Sequence, residues 1–156
     1  MKIYCLEDFK REFEKLVRKS TYKSIEKDII EHFFGKDVQQ LCAGTRLNGS
    51  SETPYIKKRV KGSGGWRFYY LAVIKDDCIY LMFFHPKTGS EGSDNIKDDF
   101  KASLYKKVLD CINKRDYYQV SIDENRKSLQ FKHQFEKEVQ HDVIAYKKIA
   151  DADEIS

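Results

Sequence analysis

Between Tyr55 and Pro86 the chain runs through three strand-forming stretches, residues 55–61, 66–74 and 78–85, joined by "GSGG" and "KDD". Connections this short make antiparallel hairpins, because a parallel return needs a crossover of a dozen or more residues. Pro86 has no N–H for a further ladder and ends the third stretch. The rest of the chain must therefore pack around a meander.

Side chains alternate along a strand, so Tyr55, Lys57, Arg59 and Lys61 share one face, while Ile56 and Val60 share the other with Lys58 between them. The second stretch places Arg67, Tyr69, Leu71 and Val73 opposite Trp66, Phe68, Tyr70 and Ala72. Arg67 stands in a strongly apolar run, where an arginine is unusual without a partner. The parity of the next connection decides what meets it. A two-residue Asp76-Asp77 loop sets Arg67 opposite Pro86. A loop of Lys75, Asp76 and Asp77 pairs Ile74 with Cys78 and sets Arg67 opposite His85. The longer loop is the expectation, since a two-residue type I′ turn favours Asn-Gly or Asp-Gly.

That parity gathers Arg67, Tyr69, His85 and Lys87 on one surface, beside Lys57 and Arg59. Cations there can hold a phosphate backbone, and Arg67 can stabilise the charge of a pentavalent phosphorane. His85 can pass protons near neutral pH. Tyr55, Tyr69 and Trp66 offer rings on which bases could stack. No carboxylate cluster joins them, which disfavours a magnesium-dependent nuclease. Each feature has an ordinary counterpart. A Lys/Arg-alternating strand is commonly a solvated face or a blunted edge. A histidine before a strand-ending proline is commonly structural, and Trp66 and the Phe/Tyr run are mostly core. "GSGG" is a turn rather than a phosphate loop, because no helix N-terminus follows it.

Around the meander the periodicity is helical. "KIYCL" is a first strand with Ile3 and Cys5 on one face. From Asp8, a plausible cap, Phe9, Phe13, Leu16 and Val17 form a helical stripe. Ser20 or Thr21 can cap a second helix with Ile25, Ile29, Ile30 and Phe33 on its buried face, stopped by Gly35. After the loop "KTGSEGSDN", Asp94 or Asn95 can cap a third helix carrying Ile96, Phe100, Leu104, Val108, Leu109 and Ile112. "YYQVSI" and "SLQF" then read as one more strand or hairpin, and Phe131, Phe135, Val139, Val143 and Tyr146 as the apolar side of a final helix. The order gives an α+β fold. Residues 1–115 form the main domain, and residues 116–156 a C-terminal extension packed on it.

With 40% hydrophobic residues the chain can bury a core, and its net charge of +4 is too small to imply a nucleic-acid partner unless the cations cluster. Cys5, Cys42, Cys78 and Cys111 are scattered and never paired as CxxC. Free thiols in a reducing compartment are the expectation. Glu7 and Asp8 precede any long apolar run, so no signal peptide is expected, and no stretch approaches the ~20 apolar residues of a membrane span. A soluble, cytoplasmic protein without metal or cofactor follows.

The pattern "RLNG…PYIKKRVKGSGGWRFYYLAV…CIYLMFFHPKTG" resembles the RelE/HigB toxins of bacterial type II toxin–antitoxin modules, within the RelE/ParE superfamily. It has a leucine–glycine turn, a basic strand, an aromatic-Arg-x-x-Tyr strand, an apolar strand and a basic residue at its end. The resemblance implies a small antiparallel sheet packed with an N-terminal helix pair and a following helix. It also implies metal-independent mRNA cleavage by 2′-OH attack in association with the ribosome, and neutralisation by a cognate antitoxin. Arg67 falls at the family's phosphate-stabilising arginine, with Lys57 and Arg59 at the basic residues of the preceding strand. His85 or Lys87 falls at the position of the terminal His, Lys or Arg. Lys61, Tyr55 and Tyr69 complete the expected substrate surface. No counterpart of the family's C-terminal tyrosine is found, and the loop after Lys87 is acidic. A ParE-like inhibitor of gyrase and a non-catalytic RNA-binding or protein-interaction module of the same fold are the alternatives.

Overall fold

A computed structural model describes residues 1–61, 65–88, 96–125 and 127–134. They form strand β1 (Lys2–Cys5), helix α1 (Glu7–Val17), helix α2 (Ile25–Phe33), and strands β2 (Thr45–Arg46), β3 (Tyr55–Val60), β4 (Trp66–Val73) and β5 (Cys78–Pro86). Helix α3 (Asp98–Lys114) and strands β6 (Tyr118–Asp123) and β7 (Ser128–His133) follow. The fold is α+β: one open, mostly antiparallel sheet in the order β2-β3-β4-β5-β1-β6-β7, with helices on both faces. The exception to antiparallel pairing is β1, which runs parallel to β5 through Ile3↔Ile79 and Cys5↔Leu81. On its other side β1 meets β6 antiparallel, so the β6–β7 hairpin extends the same sheet.

One face of the sheet packs on α1 and α2. Phe9, Phe13 and Leu16 of α1 and Ile25, Ile29 and Phe33 of α2 meet Trp66, Phe68, Tyr70 and Phe84 there. The apolar spacing thus gives both helices their buried stripes. Their starts differ from the sequence reading. Leu6 occupies the cap position of α1, and Asp8 lies inside the first turn, where its charge suits the helix dipole. Ser20 and Thr21 open a short 3-10 turn (Ser20–Tyr22), and α2 begins only at Ile25. Tyr22, 1% exposed, pulls that turn into the core, so burial decides where α2 begins.

The other face packs on α3 through Leu104, Val108 and Cys111, which meet Tyr55, Leu71, Tyr80 and Met82. Lys97 takes the cap position of α3, while residues 94 and 95, the expected caps, lie outside the described residues. Phe131 belongs to β7 and packs its ring 5.5 Å from that of Phe13. A strand rather than the final helix holds it, because pairing with Val120 seats it against α1. The remainder of that expected helix lies outside the described residues. All four cysteines are free thiols.

The β4–β5 register departs from the expected loop parity. Val73, not Ile74, pairs with Cys78, because a 3-10 turn (Ile74–Asp76) and the left-handed Asp77 take up Ile74 as well. The register then shifts between Tyr70↔Leu81 and Tyr69↔Phe83, leaving Met82 as an extra residue. This β-bulge adds back the residue that the turn removed. Beyond it Arg67 pairs with His85, as the three-residue loop would have it, but by a different route.

Candidate functional site

The face toward α3 changes character along the strands. Tyr55 of β3 pairs with Leu71 of β4, and Leu71 with Tyr80 of β5, an apolar row beneath α3. The next row holds Lys57, Tyr69 and Phe83, and the one after it Arg59, Arg67 and His85. Lys61 and Lys87, both exposed, follow β3 and β5 at the same end. The helix therefore covers the apolar end, and cations gather at the end nearest its N-terminus.

Met82 and Phe83 both belong to the α3 side, whereas Leu81 and Phe84 pack on the other. Two successive residues facing one way is what a bulge produces. It brings His85 to the face of Arg67 and Tyr69; an unbroken alternation from Tyr80 would turn it toward α1.

Arg67 and His85 are each 5% exposed, the two buried charged or polar residues of the described core. His85 Nδ1 lies 3.1 Å from the Pro86 carbonyl oxygen, which can only accept, so Nδ1 carries the proton and donates. Nε2 is then an acceptor, and the Tyr69 hydroxyl donates to it at 3.3 Å. The Ile96 backbone hydrogen-bonds the Tyr69 phenol in turn. His85 is held neutral: burial lowers its pKa, and Arg67 and Lys57 lower it further against the opposing Pro86 carbonyl and Glu12.

The Arg67 Nε–H is buried without a hydrogen-bond partner among the described residues. Among the described residues, the charged side chains beside it on this sheet face, Arg59 and Lys57, are cations. Burial lowers the Lys57 pKa, as do the nearby Lys101, Arg59 and Arg67. Burying a cation among cations costs several kcal/mol unless an anion joins it. An oxyanion such as a phosphate is the complement of this cluster.

The structure thus brings together Arg67, His85, Tyr69, Lys57 and Arg59, with Lys61 and Lys87 at the open end. It removes the expected stacking platforms. Tyr55 is 3% exposed, with its ring stacked on Tyr105 and its hydroxyl donating to the Lys101 carbonyl at 2.9 Å. Trp66 lies on the opposite sheet face and donates to Asp28 Oδ2 at 2.8 Å. Tyr69 is fully buried, so its ring is closed to a stacking base, and its hydroxyl serves to bond His85. Sequence reasoning missed Lys101 and the Pro86 carbonyl. No local pattern marks Lys101, because it joins the cluster only through the docking of α3.

Among the described residues no group of three or more His, Cys, Asp or Glu could hold a metal ion, and no helix is long and apolar enough to cross a membrane. Comparison with protein-family models gives no match, and comparison with curated proteins gives none.

Proposed function

We propose that this chain is an mRNA endoribonuclease toxin of the RelE/HigB kind, acting on translated mRNA and neutralised by a cognate antitoxin protein. The observation that carries the reading is the pairing of Arg67 with His85 on one sheet face, flanked by Lys57 and Arg59. The reaction needs no metal. The 2′-oxygen of the substrate attacks the adjacent phosphorus and the 5′-oxygen leaves, giving a 2′,3′-cyclic phosphate and a 5′-hydroxyl. His85 acts as the proton carrier, taking the 2′ proton and returning one to the leaving oxygen, while the Tyr69 hydroxyl orients its imidazole. Arg67 stabilises the charge that builds on the phosphorane oxygens. Lys57, Arg59, Lys61 and Lys87 hold the flanking backbone as point charges.

Primer extension on mRNA from cells with induced expression tests this reading. New 5′ ends within translated frames are expected. Growth arrest without such ends would overturn it.

One observation favours a second reading. Arg67 and His85 are each only 5% exposed, which suits a structural pair in a ParE-like, non-nucleolytic inhibitor or an interaction module. A supercoiling assay with purified gyrase separates the gyrase inhibitor from the nuclease.

A further inference from the structure

At the opposite end of the same sheet face a cleft of about 490 Å³ is lined by Tyr4, Asp76, Asp77, Cys78, Tyr80 and Tyr117, with Met1 and Lys2 at its rim. Tyr4 and Tyr80 stack at 5.1 Å between ring centroids, and Tyr117 stands edge-on to them at 5.0 and 5.2 Å. Tyr80 is buried, while Tyr4 and Tyr117 are half-buried and keep part of their surface open. The β4–β5 turn carries the carboxylates: Asp76 ends its 3-10 segment, and Asp77 follows with φ +49°. Both are exposed. The Lys2 N–H donates to the Asp77 carbonyl at 3.0 Å, which ties this turn to β1 and to Tyr4.

The cleft's carboxylates act on the groups around them, with Lys2 at the rim opposing them at Cys78. Burial pushes the Cys78 thiol up to about 11, with Asp76 the next cause. Burial also raises the Tyr4 phenol, and Tyr117, Cys78 and Asp76 raise it further. Helix α3 ends at Lys114, three residues before Tyr117, so the negative end of its dipole lies on this side. Cations already approach: the Met1 ammonium lies 3.4 Å from Asp77 Oδ2. Asp76 has no ion pair among the described residues.

We propose that this cleft binds the guanidinium of an arginine side chain. A guanidinium is planar, lies flat on an aromatic ring and pairs with a carboxylate through two parallel N–H bonds. Tyr4 and Tyr117 offer the rings and Asp76 the carboxylate. An ammonium makes the charge contact but not the planar one, so lysine binds more weakly. The site is independent of the cationic cluster around Arg67, and the proposal does not rest on nuclease activity.

Titration of the full chain with N-acetyl-arginine amide, followed by NMR of the tyrosine rings, tests it. The Tyr4 and Tyr117 resonances are expected to move saturably, and Asp76→Asn to weaken binding about tenfold or more. N-acetyl-lysine amide is expected to bind more weakly than the arginine probe. A short arginine-containing peptide forms the second arm: tighter binding than the single residue assigns the arginine to a protein partner, and equal binding assigns it to a free guanidinium compound. Asp76 is exposed, so its substitution leaves the core untouched; a circular dichroism spectrum checks this, and Tyr117→Leu serves as the second variant. Absent shifts, equal affinity for lysine, or undiminished binding by both variants would overturn the proposal.

Discussion

Arg67 of β4 stands directly opposite His85 of β5, and a bulge at Met82 brings His85 to that face. Neither residue is solvent-facing, and the Arg67 Nε–H has no partner among the described residues. The pair is therefore a buried, positively charged position beside a neutral base, the environment in which an anionic transition state gains most from fixed charge.

Arg67→Ala is expected to relieve growth arrest on induced expression while leaving the protein folded. Loss of one charge-stabilising donor lowers a rate by about 10²–10³. Growth curves with matched expression levels and a thermal melt check both halves. Full toxicity in this variant would remove Arg67 from the mechanism.

His85 sets an expectation for pH. Its folded pKa lies below the ordinary 6.5, first through burial, with Arg67 and Lys57 adding to it. The neutral base therefore persists below pH 6.5, and the acid limb of a cleavage profile should fall there. The stability sign follows the same way. In this window the unfolded chain binds the proton more readily, so the His85 contribution is complete above about pH 6.5 and is lost as the pH falls through the folded value. Cleavage rates and urea midpoints across this range, compared with His85→Gln, check both; an acid limb above pH 6.5 would contradict the assignment.

Lys57 and Arg59 should act through phosphate charge rather than base identity. Replacing both with alanine is expected to weaken binding to single-stranded RNA of any sequence. It should also flatten the dependence of log K on log salt by about 0.7 per lost contact. Fluorescence anisotropy at several salt concentrations measures this slope. An unchanged slope would show that the cations are an ordinary solvated face.

Trp66 supplies a prediction about the scaffold. Its buried indole N–H donates to Asp28 Oδ2 at 2.8 Å, and the Ser24 hydroxyl donates to the same oxygen at 3.1 Å. Asp28→Ala leaves the indole donor unpaired, at a cost of about 1–3 kcal/mol. A lower denaturation midpoint with an unchanged slope is the expected result. Because Trp66 lies on the face opposite Arg67, the residual activity of the folded fraction should not change.

Much of this molecule is legible in its residues. The meander of β3, β4 and β5 follows from short connections and period-two alternation, and Phe9, Phe13 and Leu16 announce the buried side of α1. The meeting of Arg67 with His85 was reachable by counting, although the count assumed a three-residue loop and an unbroken ladder. The turn took up one residue more, and the bulge compensated for it. The place of Trp66 in the core, on the face opposite Arg67, is legible from strand alternation, whereas the burial of Tyr55 is not. An aromatic side chain reads the same in sequence whether α3 covers it or water does.

By itself the sequence determined the local elements and the sorting of cations onto one side of β3, because strand periodicity and turn chemistry act over a few residues. Only the tertiary structure decided that β1 inserts parallel beside β5, that the β6–β7 hairpin prolongs the sheet, and that Lys101 and the Ile96 backbone reach the site. Those choices depend on which apolar faces find each other across the chain. The packing of α3 over one end of the sheet buried Tyr55 and left the cations gathered at the other.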